Sequence, residues 1–271
     1  MWDRIKAPLA VLVFLVAVGC LFYVVRGRRA GRYTEKELGT DHQTRVALHG
    51  DEPRAQVEAA IELGKPKDTP EERELARATL EEVVQDKGAA APVTAAAARS
   101  LGKMKDPRSV PAIARRLEQP SEETTMVKFA AIKALERIAD PSGFEALTRQ
   151  VTADNSVATD AAWAMGELRD PDTGRIPPYV EDKLIEYLKH PAPKIRIGAI
   201  YGLEEGGTEK GLAALRELAK HPFRGIRPSI LEQPLPEMGK PKPGLILAPC
   251  RRAIQAIEAR IGAEPAQGGG E

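Results

Sequence analysis

Aromatic side chains make up only 4 % of this 271-residue chain, and cysteine occurs twice. Two cysteines cannot build a disulfide framework, and their surroundings give no metal-site spacing. With so few Phe, Trp and Tyr, the core must come from Ala, Leu, Ile and Val, which suits a largely helical chain. Net charge is scarce too. The 40 Lys+Arg stand against 39 Asp+Glu, a formal +1. That balance argues against a general nucleic-acid binder, which usually has a basic domain. Charged residues (29 %) and hydrophobic residues (42 %) are present in ordinary amounts, which excludes wholesale disorder.

The near-zero charge conceals a split. Residues 1–32 hold six basic residues and one acidic, a local +5, and the remainder holds 34 and 38, or −4. Inside the basic part lies an uncharged run of 19 residues, 7–25, APLAVLVFLVAVGCLFYVV. As a helix it would span roughly 28 Å, close to the hydrocarbon thickness of a bilayer. Trp2 and Tyr23 lie near its two ends, where amphipathic rings favour the interface. Arg26, Arg28, Arg29 and Arg32 follow it, against Arg4 and Lys6 before it. The positive-inside rule then places the C-terminal domain in the cytoplasm, and the four arginines double as contacts to anionic headgroups. The run is longer than a signal-peptide core and ends in arginines rather than small residues, so an uncleaved anchor is expected. Two alternatives stay open, a periplasmic domain held by a helix and one held by a lipid. Val16-Ala17-Val18-Gly19-Cys20 resembles a loose lipobox, with Cys20 as the acylated residue. It departs from that pattern in the apolar residues Leu21 to Val25.

Self-similarity decides the fold. AAIELGKPKD (59–68) and AARSLGKMKD (97–106) share seven of ten residues at a separation of 38. The frame returns as AIKALERIAD from Ala131, AWAMGELRD from Ala162, AIYGLEEGGT from Ala199 and AIQAIEARIG from Ala253. The anchoring apolar residues are Leu63, Leu101, Leu135, Met165, Leu203 and Ile257, spaced 38, 34, 30, 38 and 54 apart. Each unit predicts an Ala-rich first helix. Asp106-Pro107, Asp140-Pro141 or Asp170-Pro171 then opens a second, with Asp as N-cap and Pro in the first turn. In the fifth unit Thr208 takes the cap position. One such pair cannot bury its apolar face alone, and stacked neighbours can. The expected fold is all-α, an α-solenoid of about six helical hairpins behind a single transmembrane helix.

The expected organisation is an N-terminal flank (1–6), the anchor (7–25), a basic linker (26–50), the solenoid (51–262) and a disordered Gly-rich tail (263–271). Between the last two units, 222–249 carries 7 of the 22 prolines. That segment is expected to be extended, as a cover over the end of the array or as a docking loop.

These units resemble HEAT repeats, in particular the short HEAT-like repeats of phycobilisome lyases, over about 51–262. The resemblance implies a scaffold that binds other macromolecules along an extended surface. HEAT-like enzymes such as deoxyhypusine hydroxylase hold two irons with His-Glu pairs. Here His42, His49, His190 and His221 precede Gln, Gly, Pro and Pro, so no such pair exists. DNA-alkylation repair proteins of this type would need a basic concave face. There is no phosphate-cradling loop or nucleophile elbow, and Cys250 has no visible base beside it. No catalytic residue, cofactor or metal is therefore expected.

The candidate residues lie in the repeats. Trp163 and Tyr201 share the aligned position of Arg99, Lys133 and Gln255, about 200° round the helix from the anchoring residue. An outward pair about one helix spacing, roughly 10 Å, apart would anchor a partner. The same rings could instead cover a groove between helices. Arg115, Arg116 and Arg149 lie on second helices, which by the family resemblance line the concave face, where they could meet an acidic peptide or form a solvated face. The expected function is a membrane-anchored scaffold or adaptor for other proteins, without catalytic activity and without nucleic acid. The competing readings are a lyase-like or chaperone-like accessory enzyme and a lipid-anchored periplasmic scaffold.

Overall fold

The computed structural model describes residues 47–48, 50, 52–119, 125–153, 156–220 and 244–263. The chain divides into Met1–Val46 and Ala47–Glu271, and every described residue belongs to the second unit. The apolar run 7–25, with Cys20, Arg26, Arg28, Arg29 and Arg32, lies outside the described residues, as do 221–243 and 264–271. Among the described residues no helix is long and apolar enough to cross a membrane.

Among the described residues, five hairpins and a further helix make up the array. They are α1 (Pro53–Leu63) with α2 (Pro70–Gln85), α3 (Ala91–Met104) with α4 (Val110–Glu118), and α5 (Thr125–Ile138) with α6 (Phe144–Thr152). Next come α7 (Ala158–Met165) with α8 (Pro178–Tyr187), α9 (Pro193–Gly206) with α10 (Glu209–Lys220), and α11 (Gly244–Ala263). The described residues contain no strand. The first helices α1, α3, α5, α7, α9 and α11 pack one on the next. Each second helix packs beneath the first helix of the following unit, α2 on α3 through α10 on α11. This is an α-solenoid of helical hairpins with a continuous core. All six anchoring residues read from the repeat are at most 1 % exposed. Alanine fills what remains: Ala95, Ala96, Ala97 and Ala98 of α3 are each at most 1 % exposed.

The turns show how capping sets the hairpins. Thr69 accepts from the Glu72 N–H while the Glu72 carboxylate accepts from the Thr69 N–H, a capping box that opens α2 behind Pro70. Asp106 and Asp140 accept from the N–H two residues on, and each opens a 3₁₀ turn, Pro107–Ser109 and Pro141–Gly143, that leads into α4 and α6. Asp170-Pro171 departs from the expectation. Asp170 accepts from the N–H of Asp172 and Thr173, Gly174 follows at φ +67°, and α8 starts only at Pro178. The left-handed glycine prevents the turn from running on as a helix. In the fifth unit Thr208 accepts from the Lys210 N–H, as the sequence predicts. Glu181, 4 % exposed on α8, reaches across to accept from the Thr208 hydroxyl and from the N–H of Thr208 and Gly211. A carboxylate buried there is stabilised by the N-terminus of α10.

Lys105 (φ 52°) and Ala139 (φ 61°) end α3 and α5 in the left-handed region without being glycine. Ala139→Gly is expected to stabilise the array by about 0.5–1 kcal/mol, the steric cost relieved less the flexibility added. A melting temperature about 2 °C higher would show it. An unchanged or lower value would contradict it.

Glycine sets the spacing of the first helices. Gly198, Gly202 and Gly206 recur every fourth residue on α9, facing α7. A Cβ at Gly202 would stand 2.8 Å from the Ala162 carbonyl oxygen, and one at Gly206 2.5 Å from that of Gly166. A Cβ at Gly166 would stand 2.0 Å from the Gly202 carbonyl oxygen. The two backbones are in direct contact.

Two boundaries differ from the sequence reading. Leu48, expected in the linker, is 3 % exposed in the core. The end of the Pro-rich insertion is helical, because α11 begins at Gly244 and contains Pro249. Proline in a helix costs about 3 kcal/mol. Here Ile246 (2 % exposed) and Cys250 (0 %) bury their side chains on either side of it, and that burial offsets the cost.

Candidate protein-docking face

The solvent side of the first-helix layer carries a row of rings and cations. Phe129 and Lys133 come from α5, Trp163 from α7, Tyr201 from α9 and Arg252 from α11. The Trp163 and Tyr201 ring centroids are 5.5 Å apart with planes tilted by 54°. That is closer than the roughly 10 Å spacing of ordinary packed helices, and the glycine seam between α7 and α9 is the reason. Lys133 Nζ lies 4.3 Å from the centre of the Trp163 ring, and Arg252 Cζ lies 5.2 Å from that of Tyr201. On α11 the repeat-aligned residue is Gln255, yet Arg252, one turn earlier, reaches the tyrosine. Both rings are half-buried, so each keeps an exposed part. Beside them Met126 (47 % exposed) and Phe129 (42 %) extend the apolar surface over α5.

An acidic lane runs next to the rings. Glu136 pairs with Lys133 at 2.5 Å. The Glu204 carboxylate accepts from Nε and Nη2 of Arg252, at 2.8 and 3.0 Å. Glu205 sits one turn beyond Tyr201 on α9, and Glu167 sits four residues beyond Trp163 in the turn that follows α7. Burial pushes the Glu167 carboxyl up, Glu205 and Glu136 push the same way, and Arg169 and Lys133 oppose them. Arg169 Nη2 stands 3.5 Å from Glu167, and its N–H groups are also donated to the carbonyls of Gly166, Leu168 and Glu205. A carboxylate with a raised pKa favours the fold most when protonated, and that contribution is lost as pH rises through its folded value. Glu167→Gln is therefore expected to stabilise the chain at pH 7, with an advantage that fades as pH falls into the carboxylate range. Melting curves across that range check it, and an advantage that grew towards acid would contradict it.

Of the three arginines expected at a partner surface, the packing buries Arg116. Arg115 is exposed. Arg116 is 3 % exposed and donates to Gln119 at 3.3 Å. Arg149 forms an ion pair with Glu118 of the preceding unit. Cys250 is buried and donates its thiol to the Leu215 carbonyl at 3.2 Å, and burial pushes that thiol up to about 11. It packs and is poorly nucleophilic. His190 accepts from the Ala192 N–H in the turn after α8. Among the described residues no group of three or more His, Cys, Asp or Glu is placed to hold a metal ion. The sequence reading missed Met126, Phe129 and the acidic lane. The signal for Phe129 was its place one turn before Lys133, on the same helix face.

A PBS lyase HEAT-like repeat matches residues 94–119, which run from the first turn of α3 through the Asp106-Pro107 turn to the end of α4. No curated protein matches the chain. Solved structures that the chain is similar to include an engineered protein, 19 % identical, covering 82 % of this chain and 99 % of its own with a TM-score of 0.47. Human deoxyhypusine hydroxylase is 16 % identical, covering 81 % of this chain and 84 % of its own with a TM-score of 0.34. The CpcE–CpcF complex of phycocyanin lyase from a Nostoc species is 17 % identical, covering 80 % and 94 % with a TM-score of 0.33. The family match over residues 94–119 corrects the expectation of a chain without catalytic activity. That repeat is named for a lyase. The missing sequence motif did not exclude catalysis, because a helical array brings side chains together from separate repeats. The chain carries a HEAT-like repeat of the PBS lyase type.

Proposed function

We propose that the chain is a protein-binding accessory factor of the lyase-like or chaperone-like kind, which holds a partner protein against the first-helix face. The observation that carries this reading is the Trp163–Tyr201 pair, bordered by the exposed Met126 and Phe129. Rigid aromatic anchors next to exposed apolar side chains are the composition of an interface centre. The PBS lyase description of the repeat supports an accessory role on another protein. Recruitment or scaffolding of that partner uses the same face. The run 7–25 would tether the array to the plasma or inner membrane, with the arginines 26–32 on the cytoplasmic side. Acylation of Cys20 would instead give a periplasmic anchor.

The test is quantitative crosslinking of the full chain in its own membranes, comparing Phe129→Glu and Tyr201→Ala with Arg115→Ala. Partners crosslinked by the parent chain should be lost from the first two and kept by the third. Equal recovery from all three would overturn the reading. Labelling of the C-terminal tail in unbroken cells by an impermeant reagent would overturn the cytoplasmic placement.

A further inference from the structure

Resting on that docking face, we infer that its partner presents a basic side chain, a lysine or arginine between apolar residues, seated beside Trp163 and Tyr201 with its charge between Glu167 and Glu205. Three observations point there. The rings of this face already attract cations, since Lys133 and Arg252 of the chain itself lie against them, 4.3 and 5.2 Å from their centres. Those two cations form ion pairs with Glu136 and Glu204. Among the described residues Glu205 is exposed and forms no ion pair, and Glu167 pairs with Arg169, whose guanidinium also donates to three backbone carbonyls and acts on Glu205 as well. The groups facing Glu167 are Glu205 on α9, Arg169 in the following turn, and Glu136 and Lys133 on α5. Carboxylates crowded in this way gain from an added cation, which lowers their mutual repulsion and pairs with the ring faces at once. An acidic side chain placed there would meet the opposite.

The probe is N-acetyl-Leu-Lys-Leu-amide, compared with its Gln and Glu analogues. They are titrated into the full chain carrying Trp2→Phe, so that Trp163 is the single tryptophan and its fluorescence reports the site. The Lys peptide should bind about tenfold more tightly than the Glu peptide, the worth of one charge-assisted contact. Glu167→Gln with Glu205→Gln should bring the three peptides within about twofold of one another, a loss of that contact alone. Raising the salt should narrow the gap in the parent chain. Equal binding of the Lys, Gln and Glu peptides would overturn the basic-partner inference while leaving an apolar docking face intact. No fluorescence change with any peptide, in a chain whose melting is unaltered, would overturn the docking face as well.

Discussion

Gly166→Ala is expected to destabilise the array by about 3 kcal/mol, at the upper end of what overpacking costs. The added Cβ would stand 2.0 Å from the Gly202 oxygen, 2.3 Å from its Cα and 2.4 Å from its carbonyl carbon. These are backbone atoms, so no side chain can swing away to make room. The α7 and α9 backbones would have to separate, and the Ala and Leu side chains packed across them would lose contact. In a domain of this size the melting temperature should fall by roughly 6–12 °C. Gly262→Ala on α11 is the matched control, because a Cβ there meets nothing within 4 Å. It should be neutral or slightly stabilising, since alanine is the better helix former. Equal effects of the two substitutions would show that the close approach of α7 and α9 is not a stability determinant. The same substitution has a functional reading. Moving α7 from α9 pulls Trp163 from Tyr201, so the emission of Trp163 should change even where the chain stays folded.

Phe129→Glu is expected to weaken partner binding by about 30-fold, the effect of losing a contact worth 2 kcal/mol. Phe129 is 42 % exposed, so the change should cost the fold little. Tyr201→Ala should weaken binding to a similar degree, but it also removes a ring packed on Trp163 and is expected to lower the melting temperature by a few degrees. The pair of variants therefore separates binding from folding. Affinity loss without thermal loss, in Phe129→Glu, is the informative case. Affinities within about twofold of the parent for both variants would exclude this face as the centre of an interface.

The sequence made the array legible because its information is local and repeated. Leu63, Leu101, Leu135, Met165, Leu203 and Ile257 recur at fixed places in Ala-rich helices, and all six are buried. The second helices that follow Asp106-Pro107 and Asp140-Pro141 were legible for the same reason, since capping depends on adjacent residues. Asp170-Pro171 misled because Thr173 and Gly174, a few residues on, stabilise a turn that competes with the helix. The candidate face was half legible. Alignment put Trp163 and Tyr201 in register, but the 5.5 Å between their rings depends on Gly166 and Gly202 meeting across two helices. Contacts of that kind join residues 36 apart in the chain and leave no local pattern. Arg115, Arg116 and Arg149 show the reverse case. They looked alike as basic residues on second helices, and the packing buries Arg116 and pairs Arg149 with Glu118. Glu167 and Glu205 were ordinary charged residues until the glycine seam placed them side by side.

Oxidative footprinting of the full chain, in its own membranes and as the purified protein, tests the central claim most directly. Met126, Phe129 and Tyr201 report the first-helix face, and Tyr179 on α8, 50 % exposed, reports the second-helix layer. The account predicts that Met126, Phe129 and Tyr201 are protected in the membranes relative to the purified chain, while Tyr179 is labelled equally in both. Protection of Tyr179 with unchanged labelling of Met126 and Phe129 would contradict it.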